Sequence, residues 1–244
     1  AESLGSACST TCGAFLYKLY DDGVDGTSIP TATDAGSYTG YYKVEGDDNH
    51  NDVAEASIEV TIAKADPTLT TAPTAEEGVV YSGDFKSIIN LGTADGGTIL
   101  YKIDSDVKPT SKDGFYGDTP QRSVAGTFYV WYYIKGDANH NDTDIYDDPV
   151  VATIAKSNPT YTAPSALELT YTGSAQDLVK ANATGHGTFS FSTSENGEYS
   201  STIPQGTDAG SYTVWYKFTG DDNHNDVGPT QIEGVSIAQK ALTI

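Results

Sequence analysis

The chain has 244 residues, and 34 acidic side chains against 13 basic ones give it a formal net charge of −21. Phosphate-backbone binding needs clustered Lys and Arg to displace counterions, so nucleic acid and anionic membrane surfaces are poor partners for such a surface. The longest apolar run, Phe128 to Ile134, is far shorter than the roughly 20 residues of a membrane-spanning helix, whereas 17 Tyr, 7 Phe and 2 Trp argue against a wholly disordered acidic chain. No Met occurs, even at position 1, which predicts a processed chain or a piece of a longer array.

From the N-terminus, the first feature is Cys8 and Cys12, the only cysteines. A Cys-x3-Cys pair lacks the further ligands of a zinc site, so a local disulfide closing the turn before the next strand is expected, in keeping with an oxidising compartment. Phe15 and Tyr17 alternate as a strand. Asp34-Ala35-Gly36-Ser37-Tyr38 opens another, and Gly46-Asp47-Asp48-Asn49-His50-Asn51-Asp52 is a connection rich in turn residues. A closing strand follows with Ile58, Val60 and Ile62 on its apolar face, ending in Ile62-Ala63-Lys64.

These features then return. The Gly-Asp-x-Asn-His-Asn-Asp segment recurs at Gly136–Asp142 and Gly220–Asp226, offsets of 90 and then 84 residues. Asp-Ala-Gly-Ser-Tyr recurs at Asp208–Tyr212, with a looser middle copy at Ala125–Phe128, and the closing Ile-Ala-Lys recurs as Ile154-Ala155-Lys156 and Ile237-Ala238-Gln239. The middle copy carries six extra residues between Tyr101 and Ala125, 24 positions against the 18 from Phe191 to Ala209. A unit of about 84 residues repeats, with expected boundaries at 1–65, 66–157 and 158–244. The first copy lacks everything equivalent to Asn158 through Ser174, and Lys240 to Ile244 match the opening of a further unit.

Apolar residues alternate with period two in short runs bounded by Gly, Asp, Asn, Ser and Pro, and no stretch has helical periodicity. Phe128, Val130, Tyr132 and Ile134, and likewise Tyr212, Val214, Tyr216 and Phe218, are predicted to face inward. Asn196-Gly197 is a predicted hairpin turn. The expected fold is all-β, a row of immunoglobulin-like antiparallel β-sandwiches with the first incomplete.

Tyr171-Thr172-Gly173-Ser174, Tyr81-Ser82-Gly83-Asp84, the Ala-Gly-Ser-Tyr strand entry, the Gly-Asp-x-Asn turn and the closing Ile-Ala-Lys resemble bacterial immunoglobulin-like repeats of the MBG type over essentially the whole chain. The resemblance implies an extracellular bacterial setting, secreted or at the cell surface, where such repeats form stalks and adhesin segments. It carries no catalytic residues over. His50, His140 and His224 depart from it, because relatives often have Tyr or Phe in this turn.

Two candidate sites remain. Asp47, Asn49, Asn51 and Asp52, with Asp137, Asn139, Asn141 and Asp142 and with Asp221, Asn223, Asn225 and Asp226, form the richest clusters of oxygen ligands, and calcium is the cofactor they would suit. The bidentate Glu and flanking helix of a helix-loop-helix calcium site are lacking, and the same residues suit a tight turn bonding its own main chain. Tyr129, Trp131 and Tyr133 would project together from the middle copy, as a face for a host or matrix glycan or a protein, unless the six-residue insertion near Phe115 covers them.

No nucleophile elbow, phosphate loop or HExxH signature occurs, so no enzyme is expected. The functional expectation is a structural or adhesive stalk segment. The alternatives are a filament subunit joined head to tail by strand complementation with copies of itself, and a glycan- or protein-binding module.

Overall fold

A computed structural model describes residues 2–3, 13–182 and 185–242. Among these residues every regular element is a strand, and almost all pairings are antiparallel, as the period-two pattern predicts. The chain forms two compact units. One comprises Ala1–Thr74, Leu91–Thr119 and Val130–Val150, the other Ala75–Asn90, Pro120–Tyr129 and Val151–Ile244. The span 66–157 therefore contributes to both.

The same three-stranded sheet appears three times. Gly13–Leu19, Gly36–Gly46 and Val53–Ile62 form the first, with the long second strand in the middle. Gly97–Asp104, Gly126–Gly136 and Val150–Ile154 repeat that order, as do Gly187–Ser192, Val214–Gly220 and Val227–Ile232. Register is conserved between the first and third sheets. Phe15 pairs with Val44 and Tyr17 with Tyr42, as Phe189 pairs with Phe218 and Phe191 with Tyr216.

In the second unit a second layer closes the core. Glu168–Thr170 pairs in parallel with Ser236–Ala238, which also pairs with Gly210–Ser211. Leu178, Val179, Phe191, Val214, Tyr216, Ile232, Val235 and Ile237 are buried together, so side chains of both layers interdigitate in a two-layer β-sandwich. The parallel pair is an addition to the antiparallel sandwich that the sequence predicts. It exists because the opening strand lies beside the closing one.

The first sheet differs at the positions that match this core. Gly40 stands where the third sheet has Val214, and both are cross-strand partners of an isoleucine, Ile58 and Ile232. Ile58 is 50% exposed and Tyr42 39%, against 6% for both Ile232 and Tyr216. The predicted apolar face of the closing strand is thus only half-covered.

Two local features explain recurrent sequence. In Asp-Ala-Gly-Ser-Tyr the tyrosine hydroxyl donates to the carbonyl of the aspartate four residues back, at 2.7 Å from Tyr38 to Asp34 and 2.6 Å from Tyr212 to Asp208. The looser middle copy has Phe128, which has no hydroxyl to give, and the Arg122 guanidinium lies over its ring instead. The predicted Asn196-Gly197 hairpin is a wider connection. Its turn runs from Ser194 to Gly197, and the strands first pair again at Phe191 and Ser200. The equivalent bridges are Tyr17 with Gly26 and Tyr101 with Tyr116, so the six extra residues lie inside the middle connection.

Candidate functional site

The three Gly-Asp-x-Asn-His-Asn-Asp loops share one internal structure. Asp47, Asp137 and Asp221 each accept, through Oδ1, the backbone N–H two residues on and the Nδ1–H of the histidine three residues on, at 2.6–2.9 Å. These bonds, the histidine bond foremost, hold all three carboxyls below the usual aspartate range. Asp52, Asp142 and Asp226 close the loop by accepting the N–H of its leading glycine at 2.9–3.0 Å. That glycine is obligatory. A Cβ on Gly46, Gly136 or Gly220 would lie within 1.9–2.3 Å of the carbonyl oxygen of the loop histidine.

What the second and third loops hold is the end of another closing strand. In the first unit, Ala65 N–H donates to the Asn139 carbonyl and Asn141 N–H donates to the Ala65 carbonyl, at 3.0 and 2.8 Å. Asn141 Nδ2 donates to Lys64 O and Asp66 Oδ1, and Lys64 Nζ donates to Asp137 O. Asn139 Oδ1 accepts the Ala35 N–H at 2.7 Å. In the second unit the set recurs bond for bond. Ser157 exchanges backbone bonds with Asn223 and Asn225, Asn225 Nδ2 donates to Lys156 O and Asn158 Oδ1, Lys156 Nζ donates to Asp221 O, and Asn223 Oδ1 accepts the Ala125 N–H at 2.8 Å.

In the second and third loops the residues considered as calcium ligands are therefore the ones that build this clamp and the loop that carries it. Asn139, Asn141, Asn223 and Asn225 bind the preceding segment, while the aspartates bind the loop itself. In the first loop, Asn49 and Asn51 have no side-chain partner among the described residues. The pairing of a Gly-Asp-x-Asn loop with a closing segment of the Ile-Ala-Lys type about 67–77 residues upstream is the sequence signal that corresponds to the clamp.

The exposed aromatic row is corrected by the structure. Trp131 and Tyr133 are 2% and 5% exposed and pack with Ile145, Leu100 and Phe115. Phe115, from the connection that carries the insertion, meets the Tyr133 ring edge-on at 5.2 Å, and the indole N–H of Trp131 donates to Ser105 O at 2.9 Å. Tyr129 is half-buried. A long connection folds back and converts an outward strand face into a second small core. Cys8 and Cys12 lie outside the described residues.

His186 carries no signal of its own in the sequence, yet it joins the third loop. Its ring lies 4.3 Å from that of His224, and its carbonyl accepts the Asp221 N–H at 2.9 Å. The Tyr81 ring meets His224 edge-on at 5.3 Å. The side chains of His50, His140 and His224 are accordingly 50%, 29% and 8% exposed. In comparisons with known proteins, no family model and no curated sequence matches the chain.

Proposed function

We propose that this chain is a structural and adhesive stalk segment of a bacterial surface protein, outside the cell, in which three immunoglobulin-like repeats follow one another and the second and third loops each clamp the repeat before them. The carrying observation is the repetition of one hydrogen-bond set at Lys64–Asp66 and at Lys156–Asn158. A clamp that bonds the backbone on both sides of a short linker, with Pro67 or Pro159 just beyond it, restrains bending where an unclamped linker would be free. The Tyr38 and Tyr212 hydroxyl bonds resemble the tyrosine corner of immunoglobulin sandwiches and support the same reading. The strongly acidic surface keeps neighbouring chains apart.

Residual dipolar couplings test this reading. Amides on either side of each clamp are expected to fit one alignment tensor, and to need two in the double variant Asn139→Ala, Asn225→Ala. If the parent chain already needs two tensors across a clamp, the stalk reading fails.

A second reading, head-to-tail assembly into a filament, is favoured by the first loop, whose Asn49 and Asn51 offer the same groups as the two closed clamps. The segment Gln239-Lys240-Ala241 of another copy corresponds to Lys64-Ala65-Asp66, but it replaces the clamped lysine by Gln239 and the carboxylate partner by Ala241. Light scattering over a concentration series separates the readings. A constant 25.7 kDa mass supports the stalk, and a mass that grows with concentration supports the filament.

A further inference from the structure

The third loop differs from the other two in one chemical respect. A second imidazole stands against its histidine. The candidate ligand atoms of His186, Asp221 and His224 all lie within 4.8 Å of one another. His224 donates its Nδ1–H to Asp221 Oδ1 at 2.7 Å, and an ion held by Nδ1 and this carboxylate would take the place of the proton between them, which is released to water. The same bond holds the Nδ1 edge of the ring toward the carboxylate, so both ligand groups already face one point. Asp221 Oδ1 is shared between His224 and the Asn223 N–H, so the carboxylate's other oxygen is the one open to an ion.

We propose that His186, His224 and Asp221 form a zinc(II) site that ties the Gly220–Asp226 loop to the turn preceding Gly187–Ser192. Two imidazole nitrogens and one carboxylate oxygen, with water in the fourth position, are a donor set that suits tetrahedral zinc. Calcium takes oxygen ligands almost exclusively and does not compete for it. The surroundings are already organised. The Asp221 N–H bond to His186 O holds the two segments together through backbone, and Tyr81 shields one side of His224. His186 is exposed, so its ring can adjust to the ion's geometry.

The middle loop supplies an internal control. Gly96 occupies the place of His186, since its carbonyl accepts the Asp137 N–H at 3.0 Å as His186 O accepts that of Asp221. Gly96 has φ of +81°, and a Cβ there would come within 2.5 Å of the His140 ring. The middle loop thus keeps the Asp–His pair and has no second imidazole. Cys12 holds the corresponding sequence position in the first copy, so zinc binding is read as a difference between variants.

Zinc binding to the clamp-bearing loop would stiffen the junction at Ser157. That consequence rests on the stalk reading, whereas the binding itself does not. Calorimetric titration of the full chain with zinc chloride is the test. His186→Ala is expected to remove one zinc equivalent or weaken that site more than about 10-fold. His140→Ala is expected to leave the titration unchanged. The His186 side chain makes none of the loop's hydrogen bonds, so its removal spares the fold, and an unchanged amide spectrum checks this. In the parent chain, the ring proton signals of His186 and His224 should shift together on adding zinc. Unchanged stoichiometry and affinity in His186→Ala, or a parent chain that takes up no zinc at about 100 μM, overturns the proposal. Junction rigidity, read separately from dipolar couplings, bears only on the stalk.

Discussion

The Oδ1 of Asn223 accepts the backbone N–H of Ala125 at 2.8 Å across 98 residues of chain, and Asn139 does the same for Ala35 at 2.7 Å across 104. One asparagine position in a turn thus makes a long-range bond twice, to the strand-entry segment of the preceding copy. Such bonds form only when sandwich and loop are both in place, so the clamp reports on the folded junction rather than on the turn alone.

Asn225→Ala should therefore cost stability that the same change in the first loop does not. It removes two bonds, to Lys156 O and Asn158 Oδ1, an expected loss of about 1–2 kcal/mol. Asn51→Ala, with no side-chain partner among the described residues, should stay within about 0.5 kcal/mol. Urea denaturation of the two variants side by side decides the matter, and equal losses would mean that the clamp bonds contribute nothing.

Trp131→Ala is expected to be a folding defect. The indole is 2% exposed, and truncating it leaves a cavity, costing about 3–5 kcal/mol. Denaturant midpoints measure this. A variant that keeps its midpoint and loses retention on a glycan array would restore the binding-face reading.

Acid should loosen the loops. The folded-state pKa of Asp47, Asp137 and Asp221 is lowered, chiefly by the histidine bond, so their contribution to stability is present above the unfolded value of about 3.9 and is lost as pH falls through the folded value. Amide protection at Asn223 and Ser157 should fall in that range. A carboxyl-carbon titration of Asp221 with its midpoint at or above the ordinary aspartate value would contradict this.

Hydrogen exchange should rank the sheets. The amides of Tyr42 and Ile58 are expected to exchange faster than those of Tyr216 and Ile232, because the side chains of the first pair are 39% and 50% exposed and those of the second are buried. Equal protection would show that the first sheet's face is as well covered as the third's.

Gly96→Ala should destabilise the middle loop by about 1–2 kcal/mol, since the position needs a left-handed φ and its Cβ would strike His140. Thermal melting checks it, and a neutral result would remove the distinction drawn between Gly96 and His186.

Strand periodicity and most of the inward positions were legible from residue order. Val130, Ile134, Val214 and Phe218 are fully buried because period two is a local property of an extended chain. The Asp-Ala-Gly-Ser-Tyr corner was visible as a pattern, though not as a hydroxyl bond. Tertiary structure alone decided where the connection between Tyr101 and Tyr116 folds, and with it the burial of Trp131 and Tyr133. It also decided that the loop asparagines reach a segment some 65–105 residues away, and that His186 meets His224. Periodicity fixes which face a side chain takes. It cannot say what covers that face, because cover comes from chain distant in sequence and its position follows from packing as a whole.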